Sequence, residues 1–206
     1  MPKHSQTLHK EFSIKVQALD STRQSFEDAF VTRLISDADI IQGYAGLYLD
    51  LFTEFEGLIE NLFIGILSGL VTPNNPIIKR TITIRPVSEI ETVLLGERRA
   101  YLDWLPYAEN TIKRANIYFN SGKPFTLLND AEKGKIKTYH KIRNAIAHKS
   151  KKASKEFQKI IDGLILLPIE STPQGYLRNI PNASTGFTQF EIISNELTAI
   201  SHKLCN

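Results

Sequence analysis

The sequence predicts an all-α fold. Apolar residues recur at helical spacing over most of the 206-residue chain. Paired capping signals mark three helix starts, and the one strand-like run is too short to build a sheet.

The elements follow in order. Residues 12–36 carry the first helical pattern. The strongest stripe comes next: Tyr44, Tyr48, Leu51, Phe55, Leu58, Leu62 and Leu70, whose opening steps alternate four and three. Such steps keep residues on one helix face. Phe52, Ile59, Phe63 and Ile66 widen it, so a long core helix is expected, ending near Gly69 ahead of Pro73-Asn74-Asn75-Pro76. Thr81-Ile82-Thr83-Ile84-Arg85 alternates like a strand but stops at Pro86, which predicts a short extended connector near residues 80–86. Ser88 with Glu91 reads as a capping box, and Pro106 as the first turn of a helix running toward Asn120. Ser121-Gly122-Lys123-Pro124 is a turn. Asn129 with Glu132 opens a basic helix, residues 155–166 are helical, 168–186 is a loop, and Thr188 with Glu191 starts a last helix toward Lys203.

Length and the lack of a long linker predict a single domain over residues 1–206. With 42% hydrophobic residues it can bury a substantial core. Net charge is only +3, yet the charges are segregated. Residues 27–60 hold Glu27, Asp28, Asp37, Asp39, Asp50, Glu54, Glu56 and Glu60 against Arg33 alone. Residues 133–155 hold Lys133, Lys135, Lys137, Lys141, Arg143, Lys149, Lys151, Lys152 and Lys155 and no carboxylate. Opposite segments of this kind attract one another within a fold or across a dimer, or form solvated faces.

Cys205 is the one cysteine, so no intramolecular disulfide can form; this fits a reducing, cytoplasmic setting. Residues 1–11 are polar and lack a signal core, and the longest apolar run, 58–71, is interrupted by Glu60, Asn61 and Ser68. No membrane association is expected. Zinc spacings, HExxH, Walker A, G-x-G-x-x-G and G-x-S-x-G patterns are all missing, so no metal or cofactor is called for.

The chemistry concentrates in Arg143-Asn144-Ala145-Ile146-Ala147-His148. On a helix Asn144 and His148 stand one above the other. Arg143 is about 100° round, with a side chain long enough to swing toward them. Ala145 and Ala147 leave room for close approach, and Ile146 is expected in the core. An imidazole can act as acid or base near neutrality, and a guanidinium presents a fork of donors to a phosphate. Asn144 would orient His148 or bind the phosphate. Lys141, Lys149, Lys151 and Lys152 would hold a phosphodiester backbone. The run 149–152 reads as a frayed helix end or a turn. His140, two turns before His148 on the same side, reads as a surface histidine or a second lining of the same groove, and the aromatics Tyr101, Trp104, Tyr107 and Tyr118 as core, with base stacking the alternative. Glu56, at the edge of the apolar stripe, calls for a cationic partner, with Glu60 one turn on as the reserve.

Arg143-Asn144-x-x-x-His148 resembles the R-x4-H signature of the HEPN superfamily of helical domains, and residues 51–60 resemble its early helix, with an aromatic-Glu pair in an apolar run. The likeness covers roughly residues 39–157 and leaves 168–206 as a C-terminal loop and helix extension. It implies an up-and-down helical bundle with extra helices, and it sets Glu56 beside Arg143. It also implies a metal-independent endoribonuclease of a toxin–antitoxin or antiphage defence system. There RNA is cut by 2′-OH attack at a composite site between two protomers, leaving a 2′,3′-cyclic phosphate and a 5′-OH. Expected partners are RNA, a second copy of the chain, and an antitoxin or other defence-system component. One departure is His148-Lys149-Ser150, which lacks the tyrosine that some such toxins carry two residues after the histidine. The competing readings are a catalytically silent HEPN-like module that binds nucleic acid or an acidic partner, and an unrelated helical adaptor.

Overall fold

The structure is a computed structural model and describes residues 1–96 and 101–206. Among these the chain forms eight α-helices: α1 (Ser5–Val31), α2 (Asp37–Ser68), α3 (Val87–Leu95), α4 (Thr111–Tyr118), α5 (Asp130–Ala147), α6 (Lys151–Ile161), α7 (Pro173–Tyr176) and α8 (Gln189–Cys205). The sheet is a two-residue parallel pair, β1 (Lys3–His4) on β2 (Val71–Thr72), with Lys3 opposite Val71. The fold class is all-α.

α2 runs for 32 residues, about 48 Å. It ends where expected because Gly69 turns the backbone into the left-handed region at φ 78°, which a side chain disfavours. Leu70 therefore leaves the stripe and is exposed. Residues 81–85 are an extended connector, as predicted.

Two capping boxes form. Asn129 and Glu132 exchange N–H···O bonds of 2.7 and 2.8 Å, and Thr188 N–H donates to Glu191 Oε2 at 2.8 Å. The third does not: Pro86 caps α3 with no side-chain bond, so the helix begins a residue before Ser88. Pro106 also lies ahead of its helix, in the turns that lead to the Asn110 cap of α4.

The chain folds into two compact units. The first comprises residues 1–13, 55–137 and 198–206. Phe63 centres its core, with Phe119, Trp104 and Phe125 rings at 4.8, 5.1 and 5.2 Å. Edge-on and tilted pairs of this kind suit the ring quadrupoles. Trp104 and Tyr107 are core, as expected, while Tyr101 is exposed. The two ends of the chain meet here. Ser5 Oγ donates to the Cys205 carbonyl at 2.6 Å, and His9 Nδ1 lies 2.7 Å from Ser201 Oγ.

The second unit comprises residues 14–54 and 138–197. Tyr44, Tyr48, Leu51, Phe52, Phe157, Leu177, Phe190, Ile193 and Leu197 are buried in it. The Tyr44 and Phe190 rings meet edge-on at 6.0 Å, so the C-terminal stretch is part of the core. Several polar groups carried inside are paired. Tyr48 Oη donates to the Tyr139 carbonyl at 2.9 Å, and Tyr44 Oη to Glu27 Oε1 at 2.7 Å. Arg178 grips the same Glu27 through two N–H donors at 2.9 and 2.8 Å, the forked geometry a carboxylate prefers. α7 is one helical turn, capped by Thr172. A side chain at Gly175 would collide with the Ile169 carbonyl, so glycine is required there.

Candidate functional site

The motif occupies the last turns of α5 and the corner that follows, within the second unit. Arg143, Asn144, Ala145 and Ile146 are half-buried. Ile146 is thus not the core residue expected. Ala147 ends the helix, and His148 is the first residue beyond it, exposed, its N–H donating to the Asn144 carbonyl at 2.9 Å.

The corner is short. Ser150 already caps α6, its Oγ accepting from the Ala153 N–H at 3.1 Å. Residues 149–152, expected as a frayed end or a turn, lie at a turn of three residues, 148–150, that leads from α5 into α6. The free carbonyls ending α5 make this a favourable place for cations.

His148 lines an open cleft of about 510 Å³ with Lys149, Lys151, Lys155, Gln158 and Gln174. Lys149, Lys151, Lys152 and Lys155 are exposed, and among the described residues none is in an ion pair. Lys141 is different. Its Nζ lies 2.6 Å from Glu156, and Lys159 holds the other carboxylate oxygen at 2.6 Å. Hydrogen bonds from Lys141 and Lys159 push the Glu156 carboxyl down to about 2. Lys141 is therefore engaged in an ion pair within the unit, unlike the four exposed lysines. Its partner lies just past the carboxylate-free stretch of residues 133–155.

Arg143 and Asn144 are not among the residues lining that cleft. They belong to a chain of side-chain hydrogen bonds running the other way along α5. Arg143 Nη1 donates to Asn144 Oδ1 at 3.2 Å, and Asn144 Nδ2 donates to His140 Nε2 at 3.2 Å. The second bond needs a lone pair on His140 Nε2, so its imidazole carries a proton on Nδ1. The same ring stacks on the buried Phe52, 6.2 Å between centres and 16° from parallel. His140 is thus a half-buried, wired group. The signal in the sequence is its i, i+4 spacing from Asn144.

No carboxylate of this unit pairs with Arg143 among the described residues. Glu56, the partner the resemblance implied, and the reserve Glu60 are half-buried on the stretch of α2 that belongs to the first unit. No group of three His, Cys, Asp or Glu side chains among the described residues is placed to hold a metal. No described helix is long and apolar enough to cross a membrane. The chain matches no family model, no curated protein and no solved structure.

Proposed function

We propose that the protein is an endoribonuclease acting through Arg143, Asn144 and His148, in a toxin–antitoxin or antiphage defence setting and with a HEPN-like fold. The observation that carries this is His148 itself: an exposed imidazole in a cleft beside Lys149, Lys151 and Lys155, four residues after a guanidinium–carboxamide pair. Unpaired cations attract a phosphodiester and release its counterions, and an imidazole among them moves protons.

In the reaction a base takes the proton of the 2′-OH. The 2′-oxygen bonds to phosphorus, and the bond from phosphorus to the 5′-oxygen breaks as an acid protonates that oxygen. The products are a 2′,3′-cyclic phosphate and a 5′-OH. One His148 cannot fill both roles in one event, so a second copy of the chain supplies the other, and Arg143 neutralises charge on the phosphorane. The defence assignment rests on the resemblance of residues 143–148 and 51–60 alone.

The test is RNA incubated with purified protein in EDTA, with product ends analysed. Cyclic phosphate ends are expected; a strict need for a divalent ion would defeat the mechanism. A second reading, a catalytically silent module that binds nucleic acid or an acidic partner, is favoured by one fact: Arg143 and Asn144 lie outside the lining of the His148 cleft.

A further inference from the structure

We infer that His140 is a positioning residue for Arg143, acting through Asn144; as a statement about catalysis this rests on the ribonuclease reading above. A guanidinium at the end of a flexible stem loses much of its value for a phosphate unless its plane is fixed. In this unit the fixing group is the Asn144 amide. Its Oδ1 takes the Arg143 Nη1 hydrogen at 3.2 Å.

An amide can turn over, and the flipped form would point its NH2 at the guanidinium, where donor meets donor. His140 prevents the flip. Its Nε2 lone pair accepts from Asn144 Nδ2 at 3.2 Å, so the amide has one orientation that satisfies both neighbours. The imidazole is itself held, stacked on Phe52 at 6.2 Å and 16°, and Phe52 is fully buried in the core of the unit. The chain of constraint thus runs from a core aromatic through an imidazole and an amide to a guanidinium. All four side chains lie within one unit.

The acceptor and the flat ring can be separated. His140→Phe keeps an aromatic face for Phe52 and removes the acceptor. His140→Gln removes the ring and keeps an acceptor at the i, i+4 spacing that suits a glutamine–asparagine pair on a helix. Misplacing a catalytic group by about 1 Å costs on the order of 100-fold in rate. His140→Phe is therefore expected to lower kcat at least ~10-fold with KM nearly unchanged, while His140→Gln stays within about threefold of wild type.

The experiment pairs RNA cleavage by the full chain with an NMR measurement of rotation about the Arg143 Nε–Cζ bond without RNA. Rotation should be faster in His140→Phe and in Asn144→Ala, and wild-type in His140→Gln. Adding His140→Phe to Asn144→Ala should change nothing further, because the first acts through the second. Asn144→Ala alone keeps the idea testable if His140→Phe does not fold: it must free Arg143 or the link is absent. Unchanged rotation in His140→Phe, or rotation in His140→Gln as fast as in His140→Phe, overturns the inference. If wild type cuts no RNA while the rotation pattern holds, the ribonuclease reading fails and the positioning stands.

Discussion

The two ends of the Arg143–His148 motif live in different surroundings. Arg143 and Asn144 are half-buried, bonded to each other and, through His140, tied to the buried Phe52. His148, one turn on, is outside the helix and exposed among lysines with no ion partner among the described residues. The first end is organised before any ligand arrives; the second is open to a substrate and to solvent. A phosphate-binding group gains from fixed geometry, whereas a proton-transfer group must reach reacting atoms that come from outside. The same contrast separates the lysines: Lys141 is closed on Glu156, and Lys149, Lys151, Lys152 and Lys155 are open.

The harshest test of this contrast removes each end in turn. His148→Ala and Arg143→Ala should each lower RNA cleavage by about 100-fold or more, the scale of losing an acid–base group or a phosphorane-stabilising cation. Circular dichroism should leave His148→Ala folded as wild type, since the side chain is exposed. Cleavage at the wild-type rate by His148→Ala would remove the open end from the mechanism.

A smaller effect separates the lysines. Changing Lys149, Lys151 and Lys152 together to Gln should weaken RNA binding. It should also flatten the dependence of log affinity on log salt by about 0.7 for each phosphate of a single strand that is no longer neutralised. Lys141→Gln should leave that slope in place and lower Tm instead, because Lys141 is engaged by Glu156 at 2.6 Å. Equal salt slopes for the two variants would erase the distinction. Light scattering at micromolar concentration bears on the same open end: a two-fold dimer is expected, and a strict monomer leaves one imidazole to do two jobs.

The smallest effects are those of pH on stability. Glu156 is held at about 2 by Lys141 and Lys159, below its unfolded value near 4.5, so its contribution is complete above 4.5 and fades as pH falls toward 2. His9, in the first unit, has its pKa lowered from 6.5, chiefly by burial and then by His202. Its unfolded form takes up a proton first, so stability is full above 6.5 and declines as pH drops below that value. Urea titrations at a series of pH values check both. Glu156→Gln should flatten the lower limb and leave the upper one intact.

Much of the fold was legible because short-range rules governed it. Gly69 ends α2 since only glycine accepts that turn easily, and the boxes at Asn129–Glu132 and Thr188–Glu191 close over three residues. The Ser88–Glu91 box failed against a local competitor, Pro86, whose fixed φ suits the start of a helix. The site was legible in part. The spacing of Arg143, Asn144 and His148 put them on α5 and its end, but not whether Arg143 would face the His148 cleft. The Lys141–Glu156 pair was not legible because Glu156 sits on the next helix, a relation that a count of charges inside one segment cannot show. His140 was underweighted because a histidine gains its role from what it touches, here Phe52 on α2.

On the proposed reading, His148 at the open end does chemistry on RNA. The most direct measurement is single-turnover cleavage of end-labelled RNA in EDTA by wild type and His148→Ala side by side, with product ends identified. Wild type should cleave to 2′,3′-cyclic phosphate and 5′-OH ends, and His148→Ala should lose about 100-fold in rate. No cleavage by wild type, 3′-OH ends, or equal rates for the two proteins would contradict it.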